Sequence, residues 1–311
     1  MSVTVFFAAG EDRWPDYRDH LSAAIAEAGV NARVVLDATP EEADYIVFAP
    51  GGPIEDFRPY RNAKAVLNLW AGVENIVGNA TLTQPLCRMV DPALTAGMVE
   101  WVTGHVLRHH LGMDVHILGQ NGIWRGGIAP PIASERPVAI LGLGELGRAC
   151  GRALAGLGFP VMGWSRTAKA VPGLDCHAKE EGLRHVLSRA EIAVLLLPLT
   201  AETDTILNAD RIASMPRGAI IINPGRGALI DDDALLAALD AGQIGHATLD
   251  VFREEPLPPS HPFWQHPKIT VTPHIASETR GSSASRVIAE NIRRGEAGES
   301  FLYLVDRRQG Y

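Results

Sequence analysis

The sequence predicts an α/β protein of two doubly wound parallel-sheet domains. Short apolar runs alternate with helical patterns along most of the chain, which is the signature of a parallel sheet covered by helices on both faces. The alternation restarts at Val138 after one long helical stretch. A length of 311 residues also exceeds what one ordinary core holds.

The first series has strand-like runs at Val3–Phe7, Ala32–Val35, Tyr45–Phe48 and Ala65–Leu69, with a helix over Asp16–Ala28 that stops at Gly29. Pro92–Leu111 is expected to form a long helix leading into the second domain. The second series runs through Val138–Leu141, Val161–Trp164, Ala193–Leu197, Ala219–Ile222, Ala247–Asp250 and Thr270–Thr272. Asp231–Ala241 fits a helix between two of these runs, with acids in its first turn and Gly242 behind it. A last helix, Ser282–Arg294, returns to the first domain. The expected division is 1–98 plus 279–311 against 99–278.

Apolar content of 46% and charged content of 21% describe a globular chain, and a net charge of −8 leaves no footprint for nucleic acid or an anionic membrane. Met1–Phe7 lacks the basic lead and cleavage site of a signal peptide, and no apolar run approaches a membrane span. The three cysteines, Cys87, Cys150 and Cys176, are scattered without metal-ligand spacing, as expected of reduced thiols in a cytoplasm. No metal is expected.

Gly142, Gly144 and Gly147 follow a predicted strand and open a predicted helix. In a dinucleotide site the first allows the tight turn, the second lets a pyrophosphate approach the backbone, and the third lets helix and sheet pack closely. This makes the second domain a Rossmann-type candidate. An NAD site carries an acid at the end of the next strand to grip the ribose 2′-hydroxyl. Ser165 stands there instead, followed by Arg166 and Lys169. A hydroxyl and two cations suit a 2′-phosphate, so the expected cofactor is NADPH in preference to NADH.

Three runs further on deliver a guanidinium, a carboxylate and an imidazole: Asn223-Pro224-Gly225-Arg226, Asp250-Val251-Phe252-Arg253-Glu254-Glu255, and Thr272-Pro273-His274. Each follows a predicted strand, on the edge where open α/β sheets bind ligands. Reducing a 2-oxo acid needs such a set. Arg226 forks onto the carboxylate and polarises the ketone, while His274 donates a proton to the nascent alkoxide. Glu255 fixes the imidazole tautomer and favours its protonated form.

With these motifs the chain resembles the D-isomer-specific 2-hydroxyacid dehydrogenases, and within them the glyoxylate/hydroxypyruvate reductase A type. The likeness extends through Ala71-Gly72-Val73, the glycine fingerprint, Trp164-Ser165-Arg166, Leu197-Pro198-Leu199-Thr200, Arg226-Gly227, Leu249-Asp250-Val251-Phe252, Glu255-Pro256-Leu257-Pro258, Phe263-Trp264-Gln265-His266-Pro267, Thr272-Pro273-His274 and the Val305-Asp306-Arg307 to Gly310-Tyr311 tail. It implies a flavodoxin-like substrate domain and a Rossmann cofactor domain with a cleft between them, and a homodimer built largely through the latter. It puts Arg226, Glu255 and His274 on the family's catalytic trio. The substrate carboxylate is assigned to the backbone around Gly72 and Val73, with Trp70 and Ala71 beside it. Glu145, Leu146, Leu197, Pro198, Asn223, Pro224 and Gly225 are assigned to the cofactor's path, and Asp250 to the nicotinamide carboxamide.

The implied reaction is reduction of glyoxylate to glycolate and hydroxypyruvate to D-glycerate. Bulkier oxo acids such as phenylpyruvate, or a nucleotide-sensing regulatory role on the same fold, are the alternatives. Two tryptophans leave specificity open. Trp70 either narrows the pocket or packs in the core. Trp124 either reaches the partner subunit's active site or, the favoured expectation, packs the loop between the domains.

Overall fold

The computed structural model describes residues 2–126 and 129–310. Met1 of the first run and Tyr311 of the tail motif lie outside them. The chain divides into two compact units, Met1–Leu94 with Glu278–Tyr311, and Thr95–Ser277.

The first unit holds β1 (Val3–Ala8), α1 (Trp14–Glu27), β2 (Ala32–Val35), β3 (Tyr45–Phe48), β4 (Ala65–Asn68), α2 (Glu74–Val77) and β5 (Leu86–Cys87). Its sheet is parallel in the order β2-β1-β3-β4-β5, the flavodoxin-like arrangement. Along β1 the side chains alternate between two cores, as a period of two requires. Val3, Val5 and Phe7 face one, and Phe6 and Ala8 the other.

A long helix, α3 (Pro92–His110), crosses into the second unit, followed by the short α4 (Met113–Ile117). Then come β6 (Val138–Leu141), α5 (Glu145–Gly156), β7 (Val161–Ser165), β8 (Asp175–Ala178), α6 (Lys179–Leu187), β9 (Ile192–Leu195), α7 (Ala209–Ser214), β10 (Ala219–Asn223), α8 (Asp232–Asp240), β11 (Ile244–Leu249) and β12 (Ile269–Val271). The sheet order β12-β11-β10-β9-β6-β7-β8, with every pair parallel, is the Rossmann order with one further strand. Ala139 and Leu141 face the core under α6 and α8, whereas Val138 and Ile140 face the one under α3 and α5.

Asp231 caps α8, accepting a hydrogen bond from the Ala234 amide at 3.0 Å, and Gly242 follows at φ +69°. α9 (Gly281–Glu296) closes the first unit by packing Ala284, Ile288 and Ile292 against Tyr17, Leu21 and Ile25 of α1.

β11 begins three residues before the expected Ala247, because Gly245 lets the strand press onto the Gly218 carbonyl, where a Cβ would stand 2.6 Å from that oxygen. β9 ends two residues short of the expected Leu197, so Leu196–Pro198 form a loop. All three cysteines are free, and burial pushes the Cys87 and Cys150 thiols up to about 12. No helix of the described residues is long and apolar enough to cross a membrane.

Candidate active site

The glycine loop joins β6 to α5. Gly142 adopts φ +109° and donates its N–H to the Trp164 carbonyl at 2.8 Å, and a Cβ there would stand 2.7 Å from the Leu196 carbonyl carbon. Gly147 is equally closed, since a Cβ there runs into the Gly142 carbonyl. Gly144, between them at the N-cap of α5, is different: nothing lies within 4 Å of the place a Cβ would take. Two glycines are therefore required by the fold, and the third keeps an open approach at a helix N-terminus, which suits a pyrophosphate. Lys169 reaches back to the loop, its Nζ donating to the Leu143 carbonyl at 3.1 Å. Glu145 pairs with Arg148 on the first turn of α5, and Leu146 packs at the edge of the core.

At the end of β7 the buried Ser165 turns its hydroxyl onto the Thr167 carbonyl at 2.8 Å. Arg166 is exposed and pairs with Glu202 at 2.7 Å. Glu202 lies on the loop after Leu197 and Pro198, a loop tied by Thr203 Oγ1 donating to the Pro198 carbonyl at 2.7 Å. Nothing in the sequence singles out Glu202. Its partner is 36 positions away, so no local pattern announces it.

The loops after β10, β11 and β12 lie side by side, because Asn223 pairs with Leu249 and Leu249 with Val271 in register. Asn223 is buried and knots its own turn, accepting from the Gly225 amide at 3.0 Å and donating to the Arg226 carbonyl at 2.9 Å. Pro224 and Gly225 are buried with it, and Arg226 is partly exposed. Arg226 Nη1 donates to the Gly225 carbonyl at 2.6 Å. Gly227 permits the backbone of this turn to press against Phe252 and Arg253, the start of the loop that carries Glu255.

Glu255 and His274 meet directly, Oε2 to Nδ1 at 2.7 Å, although 19 positions separate them. The other carboxylate oxygen accepts the Phe252 amide at 2.8 Å, which fixes the carboxylate's direction. The His274 side chain is 53% exposed, and its Nε2 has no partner among the described residues. The Asp250 carboxylate is fully enclosed. It accepts Thr272 Oγ1 at 2.6 Å and the amides of Ile275 and Ala276 at 2.9 and 2.8 Å.

Trp70, Ala71, Gly72 and Val73 form the loop after β4 in the first unit. Trp70 is 39% exposed, so the core-packing alternative for it does not hold. Trp124 is 96% exposed and packs no loop among the described residues, contrary to the favoured expectation for it. The residues just before it, Gly119-Gln120-Asn121-Gly122, are polar or glycine. Among the described residues one histidine–carboxylate trio gathers, Asp175 and His177 on β8 with His185 on α6. The Arg189 guanidinium stands against His185 there, which opposes a cation.

Residues 105–276 match the family model of the D-isomer specific 2-hydroxyacid dehydrogenase NAD-binding domain. A D-isomer specific 2-hydroxyacid dehydrogenase from Xanthobacter autotrophicus Py2, solved with NADPH and MES, is 40% identical over the whole of both chains with a TM-score of 0.93. The NADPH-dependent glyoxylate/hydroxypyruvate reductase of Sinorhizobium meliloti, solved with NADP and sulfate, is 33% identical over the whole of both chains with a TM-score of 0.85. A probable 2-hydroxyacid dehydrogenase from Rhizobium etli CFN 42, solved with NADP, HEPES and L(+)-tartaric acid, is 30% identical over both full chains at a TM-score of 0.87. With the strand order, the glycine loop and the Glu255–His274 pair in place, these likenesses make the chain a member of the D-isomer specific 2-hydroxyacid dehydrogenase family of oxidoreductases.

Proposed function

We propose that the protein is an NADPH-dependent reductase of small 2-oxo acids, turning glyoxylate into glycolate and hydroxypyruvate into D-glycerate. The observation that carries the reading is the 2.7 Å contact between Glu255 and His274 Nδ1, which engages Nδ1–H and leaves Nε2 as the nitrogen that carries the transferable proton in the imidazolium form. The nicotinamide, when bound, supplies the hydride. The chain supplies the rest. The His274 imidazolium gives its Nε2 proton to the oxygen that gains charge, and Glu255, accepting from Nδ1–H, orients the ring and leaves it as the Nδ1–H tautomer once that proton has gone. Arg226 offers two parallel donors to the substrate, one for the carboxylate and one for the ketone oxygen. The Ala71–Val73 backbone receives the carboxylate.

Gly144 and the first turn of α5, including Glu145 and Leu146, would take the pyrophosphate. Leu197, Pro198, Asn223, Pro224 and Gly225 would line the cofactor's path, with Asp250 at its nicotinamide end. NADPH is favoured because Ser165, Arg166 and Lys169 replace the expected acid, and two 33–40% identical relatives were solved with NADPH or NADP. Arg166 is already paired with Glu202, so a 2′-phosphate must displace or share that partner.

A homodimer accords with the exposed apolar side chains of Val115, Ile117, Leu118, Ile123, Trp124 and Ile132, which cluster in one stretch of sequence. Sedimentation showing only monomer at micromolar concentration would refute it. Location in the cytoplasm belongs to the same proposal and accords with the free thiols.

Steady-state kinetics on glyoxylate, hydroxypyruvate, pyruvate and phenylpyruvate with each cofactor test the whole reading. Turnover of about 1–10³ s⁻¹ on the small acids with NADPH is expected. A clear NADH preference would overturn the cofactor assignment, a preference for phenylpyruvate the substrate, and no turnover the enzyme.

A further inference from the structure

The loop Trp70–Val73 is held from beneath by a residue that the sequence does not single out. Asn68 ends β4 and is 1% exposed. Its Nδ2 donates to the carbonyl of Trp70 at 2.9 Å and to that of Gly72 at 3.0 Å. The Trp70 carbonyl also accepts the Met89 amide at 3.0 Å. Two peptide planes, 70–71 and 72–73, are thereby locked with their oxygens facing the interior. In a trans peptide the N–H points opposite to the C=O. The N–H groups of Ala71 and Val73 therefore face away from Asn68, on the other side of the loop. Neither has a hydrogen-bond partner among the described residues, and nor has that of Gly72.

We infer that Asn68 is a positioning residue: by drawing two carbonyls inward it presents the Ala71 and Val73 amides outward, where they receive the carboxylate of the 2-oxo acid. The inference rests on the reductase reading above and adds the group that gives the loop its polarity. An amide is suited to the task, since both of its N–H bonds are used on carbonyl oxygens. Aspartate has the same shape and offers acceptors only, so it would repel both carbonyls and release the planes. Leucine matches the volume without donors. Thr279, whose hydroxyl donates to the neighbouring Leu69 carbonyl at 3.0 Å, contributes a comparable hydrogen bond in the same region and orients neither amide.

The test compares Asn68→Asp, Asn68→Leu and Thr279→Val with the unaltered enzyme. It reads KM and kcat for glyoxylate, inhibition by oxalate, the NADPH dissociation constant and the thermal midpoint. Asn68→Asp and Asn68→Leu should raise KM for glyoxylate and weaken oxalate inhibition about 10- to 100-fold, the range for losing a hydrogen bond to a charged group. NADPH affinity should stay within about twofold, and Thr279→Val should lower the thermal midpoint with KM unchanged. If the two Asn68 variants do not fold, Asn68→Ser, which can donate to one carbonyl at most, should give an intermediate rise. Folded Asn68 variants with unaltered KM and oxalate inhibition, or a Thr279→Val effect on KM equal to theirs, overturn the inference. If the unaltered enzyme itself fails to reduce glyoxylate, the parent reading fails instead, and the two failures are thus distinct.

Discussion

His274 occupies the left-handed region at φ +55°, a conformation that costs a non-glycine residue about 1–3 kcal/mol. Its surroundings hold it there. The His274 amide donates to the carbonyls of Asp250 at 2.8 Å and Thr272 at 3.0 Å, and the Asp250 carboxylate takes the next two amides. Hydrogen bonds to a charged acceptor contribute about 1.5–3 kcal/mol each, enough to offset the strain. This decides the informative substitution. Asparagine tolerates the left-handed region better than most residues, so His274→Asn keeps the backbone and removes the proton carrier. kcat for reduction should fall about 10²–10⁴-fold with NADPH affinity unchanged, measured by stopped-flow turnover and cofactor titration. Near-native turnover would remove His274 from the mechanism. Arg226, Glu255 and His274 were legible in the sequence because each follows a predicted strand and each type is chemically distinctive. The clamp exerted by Asp250 was not, since its acceptors are filled by residues 22 to 26 positions further on. Asn68 was illegible for a different reason: its partners are backbone carbonyls, which every residue has.

On the scale of elements, the loop between β6 and α5 separates two roles that one glycine pattern merges. At Gly147 a Cβ meets main-chain atoms of Gly142, which cannot give way, so Gly147→Ala should cost about 1–3 kcal/mol through overpacking. At Gly144 there is open space and an ordinary φ of −77°, so Gly144→Ala should fold as stably as the unaltered chain. The added methyl would stand at the mouth of the helix and weaken NADPH binding. Urea midpoints and cofactor titrations on both variants check this; equal midpoints with equal affinities would remove the distinction. Most strands were legible because a two-sided parallel strand is apolar throughout, as in the fully buried β3, β6 and β9. β8, Asp175–Ala178, escaped because an edge strand carries polar residues, and β5 because two residues make no pattern.

Across the whole molecule, pH acts on stability through two partly buried histidines. Burial, with His246 and Arg108 nearby, pushes the His109 imidazole down to about 3, and burial with Arg108 pushes His246 down to about 4. Their rings lie 4.9 Å apart, bonded to Thr248 and Thr270. In the unfolded chain both take up a proton near pH 6.5, so the unfolded state binds more protons below that value. Their stabilising effect is complete above about pH 6.5 and is lost as pH falls towards 4 and 3, by up to about 1.4 kcal/mol per pH unit for each. Urea midpoints between pH 7 and 5 should therefore decline, and the decline should be shallower in a His109→Gln, His246→Gln double variant. An unaltered slope would point to other groups. One topological fact reaches beyond the folded state. The first unit is assembled from both ends of the described chain, with α9 packing on α1 and Val305 donating its amide to the Leu86 carbonyl at 2.8 Å. The Thr95–Ser277 unit is continuous in sequence and has all its strands once Val271 is made. During synthesis the ribosome thus delivers a finished cofactor unit first, while the faces of α1 and β5 wait, uncovered, for residues 281–305.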